Sequence, residues 1–244
     1  MKNILHLGSS WSEVNGVPNH SLPFFVTEGL INRGIDVNYY STAMGGCGLG
    51  VQFEILLNIL NGKEKIDFVL FEVTTFDRFH CQLLDSDIVW EKEDSHPNIV
   101  QCRNWLIKNY IFWMPLHKEI INQHWPYLSN KGTYLKMAKL LNAGDFNWES
   151  IFLSRIVTIK NLLKKRNIPF LIYAHDSKQM VDKTRISQLV LKEIYDELDF
   201  CVNEYIGIET FKKFAIDRGF HMSPNGDRYI AENVLIPKII EKLK

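Results

Sequence analysis

The sequence has no apolar run approaching the roughly 20 residues that a membrane-spanning helix needs. It has no internal repeat and no low-complexity segment. It has no excess of charge of either sign, because 28 Lys and Arg balance 28 Asp and Glu. That balance removes the usual electrostatic reason to expect nucleic acid or an anionic membrane surface as the main partner. Cysteine is scarce and unpatterned. Cys47, Cys81, Cys102 and Cys201 show no CxxC spacing, which excludes a zinc-finger pattern. A thiol-reducing compartment is the simpler setting for them. His80, His96, His117 and His124 have no regular ligand spacing either, so no zinc site is expected.

What is present is ordinary for a globular chain: 46% apolar and 23% charged residues, the opposite of a disordered composition. The 244 residues suffice for one large domain, or one domain with an insertion, and a sizeable core. Aromatic residues reach 12%, with six Trp, which suits a thick core or a surface that stacks on something flat. The opening MKNILHLGSS is a poor secretory signal and reads better as a first strand. The expectation is a soluble protein made for the cytoplasm, or carried on a virion assembled there.

Apolar patterning predicts alternating strands and helices. Asn3 to Leu7 is a short apolar run that ends in Gly-Ser-Ser, as a strand buried on both faces does. A helix follows over Ser21 to Asn32 with Gly34 as its C-cap, then a strand over Ile35 to Tyr40. A glycine-rich turn, Ala43 to Gly48, leads to a helix over Leu49 to Leu60 and a third strand over Ile66 to Val73. This β-α-β-α-β order implies right-handed crossovers and a parallel sheet covered on both faces. Residues 76 to about 145 show no convincing sheet strand. They carry Trp90, Trp105, Trp113 and Trp125 and two apolar-periodic stretches, Val100 to Ile121 and Tyr134 to Leu141. They read as a helical insertion or lid punctuated by Pro97, Pro115 and Pro126. The pattern resumes with a helix over Trp148 to Lys165 and a strand over Ile168 to Ala174. Helices follow over 186–198, 207–216 and Gly226 to Leu243.

In an open parallel sheet, ligands bind at the carboxyl ends of the strands. The residues there are Gly8-Ser9-Ser10, Gly45-Gly46, Thr74 to Arg78 and His175-Asp176. A serine after the first strand can present a hydroxyl as nucleophile and an N–H as oxyanion donor, although a plain Gly-Ser turn looks the same. Gly45-Gly46 permits close backbone approach to a ligand and equally suits a tight turn. Near the C-terminus, Asp217 and His221 precede Pro224-Asn225-Gly226-Asp227 and a final helix. They form a plausible base with its orienting carboxylate, or a surface turn. His175 reads as a capped strand end, and His6 as a hydrogen-bonded core histidine. Lys164-Lys165-Arg166 reads as the solvated positive end of a helix.

Taken together, these blocks resemble the SGNH hydrolases, the GDSL-type esterases and lipases, in order and over nearly the whole chain. Gly8-Ser9-Ser10 looks like the family's Gly-Asp-Ser, Gly46 like the second-block glycine, and Thr74 to Asp77 like the third block. His221 with Gly226 five residues on is similar to the last block. The run FEVTTFDRFH also resembles a divergent branch common in bacteriophage genomes. The resemblance implies a flavodoxin-like three-layer α/β/α fold around a central parallel sheet, no cofactor, and a small-molecule or glycan ester as partner. It implies Ser10 as nucleophile, His221 as base and Asp217 as the acid. It implies Ser10 and Gly46 N–H groups as oxyanion donors, with Thr74 and Thr75 beside them and Arg78 binding an anionic or sugar group.

Three positions depart from the family pattern. Ser9 stands where the family has Asp, Phe76 where it has the side-chain oxyanion donor Asn, and Arg218 where the acid sits three residues before the His. The expected activity is ester hydrolysis, with deacetylation of an O-acetylated glycan preferred. One alternative is a catalytically impaired member that binds a glycan or a protein. Another rests on the opening NILHLGSSWSEVNGVPNHSLPFF, which also looks like a GT-B glycosyltransferase, although those enzymes need two Rossmann-like domains.

Overall fold

The computed structural model describes residues 1–9, 12, 21–44, 47–62, 65–73, 79–82, 86–93, 96–113, 148–175, 188–216 and 221–244. Strand β1 (Lys2–Leu7) lies mid-sheet, and its last four residues are buried. Helix α1 (Leu22–Ile31) starts where the Ser21 hydroxyl accepts the Phe24 N–H at 3.3 Å and Pro23 occupies the first turn. Its C-cap is Asn32 rather than Gly34, and Gly34, with φ 78°, closes the turn beyond by donating its N–H to the Ile31 carbonyl at 2.9 Å. β2 (Val37–Ser41), α2 (Leu49–Asn61) and β3 (Phe68–Glu72) complete the first half.

After β4 (Phe79–Gln82), β5 (Glu91–Glu93), β6 (His96–Gln101), α3 (Arg103–Asn109) and β7 (Tyr110–Trp113), the chain continues with α4 (Trp148–Lys165) and β8 (Phe170–Ala174). Then come α5 (Gln188–Glu197), β9 (Phe200–Cys201), α6 (Val202–Tyr205) and α7 (Ile208–Phe214). Last are α8 (Pro224–Ile230), a π turn (Ala231–Leu235) and α9 (Ile236–Leu243). The single long terminal helix expected from the sequence is thus three consecutive segments. Pro237 lacks an N–H and crowds the preceding turn, and the widened π turn lies immediately before it.

The seven strands of the main sheet run β5-β6-β2-β1-β3-β8-β9. Every neighbouring pair is parallel except β5 with β6. The inner order β2-β1-β3-β8-β9 is the flavodoxin-like one, which puts the switch point between β1 and β3. Alternation along the strands divides the core into two layers. Leu5, Leu7, Val69, Phe71 and Ile172 face α2, α3, α4 and α5. Ile4, Tyr39, Phe68, Leu70, Leu171 and Tyr173 face α1, α8, the π turn and α9. This is the flavodoxin-like α/β/α architecture expected from the sequence.

The expectation of a strandless helical insertion needs correcting for its described part. β6 extends the parallel sheet beyond β2, with Tyr39 opposite Ile99 and Tyr40 opposite Val100. β4 and β7 pair antiparallel as a separate ribbon. The periodic stretch beginning at Val100 is the end of a strand, a seven-residue helix and another strand. Short apolar runs of this length fit strand and helix periodicity equally well, and pairing partners decide between them. The stretch 114–147, with Trp125 and Tyr134 to Leu141, lies outside the described residues. Among the described residues, no helix is long and apolar enough to cross a membrane.

Candidate active site

The carboxyl ends of β1, β3 and β8 meet in a polar cluster on the face that also carries Ile4, Leu70 and Leu171. His6, Glu72 and His175 all fall on that face by alternation, and all three are wholly buried. Glu72, the last residue of β3, is the hub. Its Oε1 accepts the Ser9 N–H at 3.1 Å and also the Ser9 hydroxyl. Its Oε2 accepts the Ser12 hydroxyl and, at 3.4 Å, the Tyr173 hydroxyl. His175 Nε2 lies 3.8 Å from the same oxygen. A buried carboxylate is tolerated only with donors of this kind around it.

The histidine at position 6 extends the cluster. Its Nδ1 pairs with the Tyr39 hydroxyl at 2.9 Å, and its Nε2 lies 3.2 Å from the Tyr173 hydroxyl and 3.4 Å from Ser12 Oγ. It is a hydrogen-bonded core histidine, as its place in β1 implies. Gln52, on α2, donates from Nε2 to the Gly8 carbonyl at 3.0 Å and the Glu72 carbonyl at 3.3 Å, which ties β1 to β3 at the rim. Thr42, just past β2, accepts the Gly8 N–H at 3.4 Å and donates to the His6 carbonyl at 3.2 Å. The Ser12 N–H returns to the Ser9 carbonyl at 3.1 Å. The residues on both sides of position 10 are therefore bound to the sheet.

Burial governs the protonation of this cluster. It lowers His6 to about 4, with Glu72 opposing the shift and His175 adding to it. It lowers His175 to about 3, with the charge of His221 adding to the effect. Both imidazoles are therefore neutral near pH 7. The Tyr39 and Tyr173 phenols are pushed well up by burial, and Glu72 raises both further. Asp227, in the first turn of α8 and 1% exposed, has its carboxyl pushed well above the usual range by burial and then by Glu72. Its Oδ1 has no hydrogen-bond partner among the described residues.

Of the residues expected to act, His221 is described. It is half-buried and sits near enough to His175 for its charge to disfavour a proton there. A small antiparallel return brings it there. The Ile216 N–H donates to the His221 carbonyl, and the Ser223 N–H to the Phe214 carbonyl, both at 2.8 Å. Gly226, the last-block glycine, is required by packing, because a Cβ there would stand 2.7 Å from Phe214 Cβ. Ser223 caps α8 by accepting the Gly226 N–H at 3.2 Å. Ser10, Gly46, Thr74, Thr75, Arg78 and Asp217 lie outside the described residues, as do Phe76 and Arg218.

Sequence reasoning passed over Glu72, and it placed His175 at the carboxyl rim but favoured a capped strand end over a role in the cleft. The signal for Glu72 was present: one acidic residue at the end of a strand otherwise apolar on both faces, FVLFE. Ser12 and Tyr173 carried no such signal. Among the described residues, no three His, Cys, Asp or Glu side chains are grouped to hold a metal ion.

A doubly wound sheet with its polar groups gathered at the carboxyl rim of β1, β3 and β8 defines a flavodoxin-like α/β/α protein with a candidate site in the usual place for that class. No family model and no curated protein sequence matches the chain. Solved structures do. The psychrotrophic esterase EstA from Pseudoalteromonas sp., in a structure inhibited by monoethylphosphonate, matches 100% of this chain and 97% of its own, with TM-score 0.50 and 9% identity. The acetyl xylan esterase AlAXEase matches over 94% of this chain and 96% of its own, at TM-score 0.49 and 14% identity. AlinE4, an SGNH-hydrolase family esterase, matches over 84% and 79%, at TM-score 0.42 and 13% identity. At these identities the likeness is one of fold. The fold shared with EstA is the α/β/α one that the sequence motifs imply. A GT-B enzyme would need a second Rossmann-like sheet, whereas the described strands form one seven-stranded sheet and one two-stranded ribbon.

Proposed function

We propose that this protein is a serine esterase of SGNH type, with Ser10 as nucleophile and His221 as general base. The observation that carries the reading is a convergence of distant segments. Ser9 and Ser12, which flank position 10, bind Glu72. Glu72 lies beside His175, and His175 lies within electrostatic reach of His221. These links support a reading in which the opening loop and the closing loop share one rim of the sheet.

In this reading Ser10 Oγ attacks the ester carbonyl carbon as its proton passes to the His221 imidazole. The oxyanion rests on the Ser10 and Gly46 N–H groups, with Thr74 and Thr75 as the nearest replacements for the donor that Phe76 cannot supply. The imidazolium returns the proton to the alcohol oxygen as the C–O bond breaks. Water, deprotonated by His221, then attacks the acyl carbon and restores the Ser10 hydroxyl as the carboxylic acid leaves. Asp217 orients the imidazole, and Arg78 binds an anionic or sugar part of the substrate. An O-acetylated glycan is the substrate class we favour, from the Arg and the tryptophans of the segment after β3.

The test is hydrolysis of a small acetyl ester, with fluorophosphonate labelling alongside. Ser10→Ala should abolish both, a loss of at least about 10³ in turnover. Unchanged turnover in that variant removes Ser10 from the mechanism. The second reading, a cleft that binds a glycan or protein without turnover, is favoured by Phe76 in the place of the family's Asn. It predicts ligand binding with no labelling of the wild type.

A further inference from the structure

We infer that Glu72 is the positioning residue of the loop that carries the nucleophile, a role that rests on the esterase reading above. The four residues before it in β3, Phe68 to Phe71, are apolar and fully buried. A carboxylate at the end of such a strand is expensive, and an apolar side chain would serve the packing better. Its partners show what it is for. Among the described residues, three of its four hydrogen-bond donors come from Ser9 and Ser12, one on each side of position 10. The fourth is the Tyr173 hydroxyl on the neighbouring strand β8. The two oxygens divide the work: Oε1 holds the near flank of the loop and Oε2 the far flank.

His6 Nε2 makes a longer contact with Ser12 Oγ, at 3.4 Å, and two further ties hold a different point. Gln52 and Thr42 bind the carbonyl and the N–H of Gly8, where the chain leaves β1. Glu72 reaches past that point and fixes both sides of position 10 to the rigid end of β3. In the esterase reading, anchoring Ser9 and Ser12 in this way is what would preset the nucleophile before substrate arrives. A misplacement of about 1 Å at a reacting group costs on the order of 10²-fold in rate. Glu72 touches no substrate in this scheme and acts through the loop.

The experiment compares full-length wild type, Ser10→Ala, Glu72→Gln and the double variant Ser9→Ala/Ser12→Ala. Acetyl-ester kinetics, the fluorophosphonate labelling rate and the thermal midpoint are measured for each. Glu72→Gln keeps the shape but replaces one acceptor oxygen by a donor that faces the serine donors. It should lower kcat and the labelling rate together by roughly 10²-fold, with KM changed less than about threefold. The double variant keeps the carboxylate, removes two donors, and should lose at least about tenfold in the same two quantities. A loss confined to the thermal midpoint, or to KM, overturns the positioning role. So does a folded Glu72→Gln protein with wild-type kcat and labelling. If Glu72→Gln does not fold, wild-type rates in the double variant overturn it instead. A wild type that is never labelled, together with unchanged turnover in Ser10→Ala, overturns the esterase reading and this inference with it.

Discussion

His175 Nε2 stands 3.8 Å from Glu72 Oε2, and both side chains are wholly shielded from solvent. The two residues end adjacent parallel strands, β8 and β3, and their contact is where the sheet's rim becomes polar. Burial lowers His175 to about 3, so the contact is not an ion pair near pH 7. It brings the end of β8 against the residue that holds the loop after β1.

Acid should weaken the fold through these histidines. His6 falls from the ordinary 6.5 to about 4 and His175 to about 3. Below pH 6.5 the unfolded chain therefore binds protons that the folded chain refuses, and stability falls as pH drops through the window from 6.5 to about 3. Glu72, Tyr39, Tyr173 and Ser12 face His6, and Glu72 and His221 face His175. Urea midpoints measured from pH 8 to pH 4 should decline on the acid side, and His175→Gln should flatten part of that slope. A midpoint flat across this range in the Asp227→Asn background, where the opposing carboxyl is gone, contradicts the account.

Asp227 should act with the opposite sign. Its carboxyl is raised in the folded state, so its contribution is most favourable below its ordinary 3.8 and is lost as pH rises. Asp227→Asn removes that loss. The variant should gain in urea midpoint over wild type at pH 8, and the gain should shrink toward pH 4. An advantage of the same size at both pH values would assign it to packing rather than to the buried proton.

Gly226→Ala should be costly for a group so small. The new methyl would stand 2.7 Å from Phe214 Cβ and 3.2 Å from Met222 Cβ, and neither is the far end of a flexible side chain. The expected destabilisation is about 1–3 kcal/mol, the usual range for overpacking a filled core. The turn that holds His221 would be displaced with α8, so ester turnover should fall more than stability alone accounts for. Calorimetry and kinetics on the same sample separate the two effects.

Gln52→Met tests the tie between β1 and β3. The swap keeps length and apolar volume but removes the donor to the Gly8 and Glu72 carbonyls. Two carbonyls at a buried rim then lose a partner, for an expected cost of about 1–3 kcal/mol by denaturant unfolding. A variant as stable as wild type would show that other groups satisfy both carbonyls.

Much of the frame is legible without coordinates because its signals are local. The apolar runs at β1, β3 and β8 need no partner to be recognised, Ser21 marks the start of α1 by capping chemistry, and Gly34 marks the turn just after its end. The β-α-β order then leaves little freedom of topology, since crossovers are right-handed. The edge is another matter. β5, β6 and the β4–β7 ribbon are three to six residues long, and such runs become strands only because a neighbouring backbone accepts them.

The candidate site divides in the same way. The amino-acid order alone determined which loops follow which strands, and so where a serine and a histidine would be displayed. Only the tertiary structure decided that Ser9, Ser12 and Tyr173 converge on Glu72 and that His175 lies beside it. The reason is that a side chain's burial, its hydrogen-bond partners and its affinity for a proton depend on atoms brought near it by folding. Residues far apart in the chain supply those atoms, and no local pattern records them.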